Sequence, residues 1–106
     1  MANIDNFYKF IWKTPERMAA AYTMEQLDGF INDFQRSIKN AHLVKKFIRS
    51  RIVETNRYIK EGKYTDLYNE VRLNKLYEYL AFWKKVVEQD LVLIKFVRSV
   101  KHHKKN

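Results

Sequence analysis

Residues 23–65 read TMEQLDGFINDFQRSIKNAHLVKKFIRSRIVETNRYIKEGKYT. The stretch contains no Pro and no Cys, and Gln26 follows Thr23 at the spacing of a helix capping box. Apolar residues recur along it at the spacing of one helical face, up to Gly62, a residue suited to the end of a helix. The stretch therefore predicts a long first helix over 23–61 and a turn at 62–65.

The chain after the turn predicts a second long helix over 66–103, which Thr65 and Asp66 are suited to cap. Its first apolar stripe consists of Leu73, Leu76, Leu80, Trp83, Val87, Leu91 and Ile94. A second stripe, on another face, consists of Phe82, Val86, Leu93, Phe96 and Val100. Because a helix with two apolar faces is buried on two sides, we expect one face to meet the first long helix and the other to meet a further element.

The N-terminal residues 1–22 offer that further element. They predict two short helices, one from Asp5 to Lys13 and one that starts at Pro15, because proline favours the first position of a helix. An antiparallel hairpin places these helices at its open end. We therefore predict an all-α fold: a long antiparallel helical hairpin, with short N-terminal helices packing at its open end, in a single domain over 1–106 with a basic tail at 104–106. A second copy of the chain is the alternative cover, which would complete a helical bundle by oligomerisation.

Opposite charges match in this antiparallel register and support it. The predicted neighbours are Glu54 with Arg72 and Lys75, Arg49 with Glu78, Lys39 with Glu88, Arg36 with Asp90, and Asp28 and Asp33 with Lys95 and Arg98. Each exposed pair contributes little to stability, roughly 0–1 kcal/mol. The run of matches nevertheless predicts that much of the basic charge is neutralised within the fold.

The 106-residue chain carries 21 Lys and Arg against 12 Asp and Glu, for a net charge of +9. This excess favours an anionic partner. The candidates are an acidic protein surface, a nucleoprotein complex, a nucleic acid and a membrane surface. The chain has no cysteine, shows no secretory signal pattern and has no apolar run near the ~20 residues of a membrane span. These features predict a cytoplasmic protein without a membrane span.

Catalytic motifs are missing from the sequence. It contains no Gly-rich phosphate loop and no nucleophile elbow, and His42 has no carboxylate one helical turn away to orient it as a base. His102 and His103 are adjacent, so on a helix they diverge by about 100° and make a poor metal pair. We therefore predict a protein that is not an enzyme and that uses no metal and no cofactor.

Three surfaces are candidates for binding. The first is the hairpin tip, where cations and tyrosines stand together: Arg57, Tyr58, Lys60, Lys63, Tyr64 and Tyr68. The second is a basic flank on the first long helix, formed by Arg36, Lys39, Lys46 and Arg49 and extended by Arg57 and Lys60. The third is an apolar ladder, Leu43 and Phe47, which points away from the main stripe and suits a partner helix, the N-terminal segment or a homodimer contact.

Two functions fit these surfaces. The first is a non-enzymatic protein-interaction module, such as an inhibitor or an assembly adaptor, with a basic aromatic surface. The alternative is a nucleic-acid-binding accessory protein that docks phosphates on the basic flank. The first ranks higher because internal charge pairing is expected to consume much of the basic content. Small, basic, cysteine-free helical chains are common among accessory proteins of viruses and mobile elements, which is an association and not a physical argument.

Overall fold

The structure, a computed structural model, describes residues 14–105. Over these residues it contains helix α1 (Pro15–Ala21), helix α2 (Met24–Glu61) and helix α3 (Asp66–Lys105), and no strand. The predicted all-α hairpin is confirmed. α3 extends two residues beyond its predicted end at 103, and the helix predicted over 5–13 lies outside the described residues. Neither long helix is apolar enough over a sufficient length to cross a membrane.

Local hydrogen bonds determine where the first two helices begin. Thr14 Oγ1 accepts a 3.2 Å bond from the backbone N–H of Arg17, and Pro15 occupies the first turn of α1. The capping box of α2 forms as predicted. Thr23 N donates to Gln26 Oε1 at 2.9 Å, and Gln26 N donates to Thr23 Oγ1 at 3.1 Å.

The turn between the long helices is a Schellman motif. Gly62 has a φ of 70°, in the left-handed region that favours glycine. The N–H of Lys63 donates to the carbonyl of Tyr58 at 2.8 Å, and that of Gly62 to the carbonyl of Ile59 at 3.2 Å. Thr65 Oγ1 then caps α3 by accepting a 3.1 Å bond from Tyr68 N. The chain thus ends one helix and starts the next within four residues.

The described chain divides into two compact units. The first comprises residues 14–39 and 86–105. Its core joins all three helices and consists of Met18, Leu27, Ile31, Phe34, Leu93, Ile94, Val97 and Val100. Two lysines of α3 add polar contacts: Lys101 pairs with Asp28, and Lys104 Nζ donates to the carbonyl of Ala19 at 2.8 Å. α1 therefore packs against both long helices, as expected for an N-terminal helix at the open end.

The second unit comprises residues 40–85. Its buried cluster consists of Ile48, Ile52 and Leu80, with Val44, Leu73, Leu76 and Trp83 packed against it. The predicted register places Leu80, Trp83 and Val87 against Phe34, Ile38 and Ile48. The packing of Leu80 and Trp83 with Ile48 is confirmed. The prediction was wrong for Phe34 and Ile38, which belong to the core of the first unit.

Three residues of the predicted apolar stripes are exposed. They are Ile59 of the first long helix, at 47%, and Phe82 and Leu91 of the second, at 43% and 55%. The buried residues of α3 include Leu80 in the second unit and Val97 in the first. An α-helix drifts by about 20° per seven residues relative to a packing stripe, so a single wheel direction misplaces residues far from its centre.

Candidate functional site

Three tyrosines form an aromatic cluster at the tip. The ring centroid of Tyr64 lies 5.2 Å from that of Tyr58, in an edge-on arrangement, and 5.0 Å from that of Tyr68. Tyr64 is 62% exposed and Tyr68 is 47% exposed. The sequence predicted that these three residues would share a surface, and the structure brings them into direct contact.

The backbone holds the central ring of this cluster in an unusual conformation. Tyr64 has a φ of 63°, which places a bulky residue in the left-handed region. That conformation costs a non-glycine residue roughly 1–2 kcal/mol. The side chain of Asn69, which is buried, donates a 3.0 Å bond from Nδ2 to the carbonyl of Lys63 and so ties the turn to α3. Strain of this kind persists only where the surroundings impose it, and it is often found at binding sites.

Cations surround the tyrosine cluster. The guanidinium of Arg57 lies 5.7 Å from the ring centroid of Tyr58, and Lys63 Nζ lies 5.8 Å from it. Lys63 also forms an exposed ion pair with Glu61 at 3.7 Å. Lys60 is exposed and forms no ion pair with residues 14–105. The tip therefore offers flat aromatic surface next to positive charge.

A hydrogen-bond network supports the tip from below. The Tyr58 hydroxyl donates a 2.6 Å bond to Glu54 Oε1, and Arg51 Nη1 lies 2.7 Å from Glu54 Oε2. The bond from Tyr58 lowers the pKa of Glu54, and the same bond raises the pKa of the Tyr58 hydroxyl. Arg72 reaches the same carboxylate at 3.4 Å, which confirms the predicted Glu54–Arg72 pair. This network orients Tyr58, the member of the aromatic cluster that it contacts.

Other predicted charge pairs do not form as expected. Asp28 pairs with Lys101 and not with Lys95 or Arg98. Glu78 lies 3.9 Å from Lys75 of its own helix, and Arg49 has no ion pair in the described chain. Asp90 is buried and bonds with Ser37, whereas Arg36 is exposed. Internal pairing therefore consumes less of the basic charge than the sequence suggested.

The basic flank is exposed in both units. Arg36 and Lys39 belong to the first unit, and Lys46 and Arg49 belong to the second. None of the four forms a salt bridge within residues 14–105. In the second unit Lys46, Arg49, Arg57 and Lys60 continue along α2 at spacings of three, eight and three residues, which keeps them on one side of the helix.

The apolar ladder is exposed, as its position on the helical wheel suggested. Leu43 is 59% exposed and Phe47 is 58% exposed, with the guanidinium of Arg51 at 4.8 Å from the Phe47 ring centroid. Sequence reasoning did not single out Tyr79, which lies on α3 in the same unit and is 54% exposed. Tyr79 follows Arg72 by about two helical turns, and Arg72 pairs with Glu54 of α2.

The C-terminal end of α3 carries a feature that the sequence did not predict. An open depression of about 250 Å³ is lined by Arg98, Lys101, His102 and Lys105. The ion pair of Lys101 with Asp28 compensates part of this positive charge. Cations in the last turn also complement the negative end of the helix dipole, which gives them a structural role.

Comparison with known proteins adds no relative. The chain matches no protein-family model, no curated protein and no solved structure. The side chains of residues 14–105 also bring no three metal-ligating groups within reach of one ion. The tip offers cationic and aromatic groups, the flank offers cations, and the ladder offers apolar side chains.

Proposed function

We propose that this chain is a non-enzymatic protein-interaction module, an inhibitor or assembly adaptor, that contacts an acidic protein surface through its tip. The observation that carries the proposal is Tyr64, whose exposed ring is held between Tyr58 and Tyr68 by a left-handed backbone. Glycine would occupy this position without strain. A bulky aromatic residue at this position costs stability in the free protein, but it presents a rigid ring to a partner.

The chemistry of the tip matches that of protein-binding hot spots. Tyrosine and arginine are over-represented among the residues that contribute most to protein interfaces, because they combine large contact area with polar groups. The network around Glu54 reduces the freedom of Tyr58 before any partner arrives. A surface ordered in advance pays less conformational entropy on binding.

Photo-crosslinking from the tip tests the proposal. The full chain, with a photoreactive phenylalanine analogue at Tyr64, is irradiated in its native cells, and the crosslinked protein and nucleic acid are both identified. The same analogue at Tyr77, which is exposed on α3 of the second unit, is the control. We expect a specific protein adduct from Tyr64 and none from Tyr77.

A matched pair of variants then measures the affinity for that partner. The tip variant carries Arg57→Ala, Lys60→Ala, Lys63→Ala and Tyr64→Ala. The control variant, Arg98→Ala, Lys84→Ala, Lys95→Ala and Tyr77→Ala, loses the same residue types elsewhere. We expect a nearly unchanged melting temperature for the tip variant and at least about tenfold weaker binding, because hot-spot losses exceed ~1.4 kcal/mol. Full affinity in the tip variant would show that the tip is only a turn.

Nucleic-acid binding is the second candidate, and the unpaired flank favours it. Lys46, Arg49, Arg57 and Lys60 extend over about 21 Å of one helix, at a rise of ~1.5 Å per residue. Cations in such a row are able to follow a phosphate backbone. This reading explains the flank but leaves the strained aromatic at the tip without a role.

Salt titration distinguishes the two candidates. Binding to a labelled DNA duplex or RNA hairpin is measured against salt for the native chain and for Lys46→Ala/Arg49→Ala. If the flank contacts phosphates, the logarithm of the binding constant should fall less steeply with the logarithm of the salt concentration in the double variant. The slope should be smaller in magnitude by about 1.8, since each phosphate contact contributes ~0.9. An unchanged slope, or no binding at low salt, would exclude phosphate docking on the flank.

A further inference from the structure

Phe47 and Tyr79 lie on the same side of the helix pair in the second unit. The reference point is the contact of Glu54 with Arg72, which joins α2 and α3 at 3.4 Å. Phe47 precedes Glu54 by seven residues, and Tyr79 follows Arg72 by seven. Seven residues are nearly two full helical turns. Phe47 therefore projects from α2 in almost the same direction as Glu54, and Tyr79 projects from α3 in almost the same direction as Arg72. Because the helices are antiparallel, both steps lead the same way along the pair.

These rings belong to an exposed apolar face. We call it the lateral face, and it consists of Leu43, Phe47, Tyr79 and Phe82. Their exposed fractions are 59%, 58%, 54% and 43%. Phe82 packs edge-on against Trp83, with ring centroids 5.4 Å apart, and Trp83 in turn packs against the buried cluster of Ile48, Ile52 and Leu80. The lateral face is therefore backed by a core.

The second unit, which carries the lateral face, has an excess of positive charge. Between residues 40 and 85 there are eleven Lys and Arg against five Asp and Glu. Of the carboxylates near the face, Glu54 is bound by Arg51 and Arg72, and Glu78 lies beside Lys75. Lys46 and Lys85, three residues from Leu43 and Phe82 respectively, are exposed and form no ion pair within residues 14–105.

We propose that the lateral face binds an acidic amphipathic helix of a partner protein. The apolar side of that helix packs between α2 and α3, and carboxylates along its edges pair with Lys46 and Lys85. A third helix on two antiparallel helices is a common packing solution, and α1 uses it in the first unit, where Met18 is fully buried. A second copy of this chain fits less well, because it would bring the same lysines against each other.

A synthetic helical peptide tests this directly. The probe has about four helical turns, with leucines on one face, glutamates at its edges and alanine and glutamine elsewhere. The full chain carries Trp12→Phe, which leaves Trp83 as its single tryptophan. We expect the probe to shift the emission of Trp83 and to saturate. A scrambled peptide of the same composition should do neither.

Substitutions on the face make the test specific. Phe47→Ser and Tyr79→Ser should each weaken binding by about tenfold or more, as the loss of a buried aromatic anchor does. Val53→Ser is the control, since Val53 is 69% exposed on α2 but points about 120° away from Phe47. Equal weakening by all three variants would show that the probe binds as a nonspecific apolar ligand, and it would overturn the proposal.

A charge swap tests the acidic nature of the partner. Lys46→Glu/Lys85→Glu should weaken binding of the glutamate peptide and should gain binding of a peptide whose glutamates are replaced by lysines. If the native chain binds both peptides equally, the face has no preference for acidic helices and this part of the proposal is wrong.

Two other occupants of the face have their own signatures. A dimer in sedimentation that Phe47→Ser dissociates would identify a second copy as the occupant. Nuclear Overhauser contacts between residues 1–13 and the Phe47 ring in the free chain would identify the N-terminal segment. Either result overturns the proposal. The tip variant described above should bind the peptide normally, so failure of the lateral face and failure of the tip are separable.

Discussion

Arg72 of α3 donates a 2.8 Å hydrogen bond from Nε to Thr55 Oγ1 of α2. Thr55 is fully buried, and its hydroxyl donates in turn to the carbonyl of Arg51 at 2.8 Å. Arg72 also reaches Glu54, so one guanidinium bridges the two helices through two adjacent residues. Because a planar guanidinium allows few hydrogen-bonding geometries, this contact defines the register of the helix pair in the second unit.

Replacing Thr55 by Val should therefore destabilise the protein. The change keeps the side-chain shape but removes the acceptor for Arg72 Nε and the bond to the Arg51 carbonyl. We expect a loss of about 1–3 kcal/mol in the free energy of unfolding, the cost of leaving a buried polar partner unsatisfied. Urea denaturation measures it, and Thr55→Ser, which keeps the hydroxyl, is the control. Equal stability of Thr55→Val and the native chain would contradict the role assigned to this bond.

The two glycines should respond to alanine with opposite signs. Gly29 lies inside α2, and a Cβ there would meet nothing within 4 Å, so Gly29→Ala should stabilise by roughly 0.5–1 kcal/mol. Gly62 has a φ of 70°, so Gly62→Ala should destabilise by roughly 1–2 kcal/mol although its surroundings are open. Thermal unfolding of both variants provides the comparison. A stabilising Gly62→Ala would mean that the turn does not adopt the left-handed cap.

Leu80 anchors the buried cluster of the second unit. It is 9% exposed and packs with Ile48 and Ile52. Leu80→Ala should cost about 2–4 kcal/mol, from lost burial and the cavity left behind. Leu67, on the same helix but 70% exposed, is the matched control, and Leu67→Ala should change stability by less than ~0.5 kcal/mol. Similar losses in both variants would argue against this cluster as the local core.

Asp90 should make stability depend on pH. Burial raises the pKa of its carboxyl, while a hydrogen bond with Ser37 lowers it by a smaller amount. A raised pKa means that the folded state binds the proton more tightly, so Asp90 reduces stability once the pH rises above its ordinary pKa of 3.8. Asp90→Asn should therefore raise the melting temperature at neutral pH.

That advantage should shrink as the pH falls and vanish below the ordinary pKa, where both states are protonated. Melting curves from neutral to acidic pH test it, with Asp33→Asn, at an exposed position of α2, as the control for general charge effects. An advantage of Asp90→Asn that stays constant with pH would show that the carboxyl's ionisation is not its cause.

Parts of the candidate site were visible in the sequence because helical geometry is periodic. Tyr58, Tyr64 and Tyr68 flank the turn closely enough that any tight hairpin brings them together, and the structure has their rings in contact. The lateral face was only half visible, since Leu43 and Phe47 stand out on α2, but nothing local connects them to Tyr79. That connection depends on the register of two helices, which Glu54 and Arg72 establish across the pair.

The sequence by itself determined the start of α2 and the turn between α2 and α3. The residues that set these boundaries form hydrogen bonds to residues three to five positions away: Thr23 with Gln26, Gly62 and Thr65. Their effect therefore depends only on the local sequence. Within residues 14–105, the boundary between α1 and α2 and the break at 62–65 follow from these residues.

Only the tertiary structure decided which side chains meet across the helices. Asp28 pairs with Lys101 although Lys95 and Arg98 were its predicted partners, and Leu91 is exposed although it continues an apolar stripe. Both outcomes depend on how far each long helix is rotated about its axis at a given level. That rotation is set by the packing of cores such as Phe34 with Val97 and Ile48 with Leu80, and no local interaction within either helix specifies it.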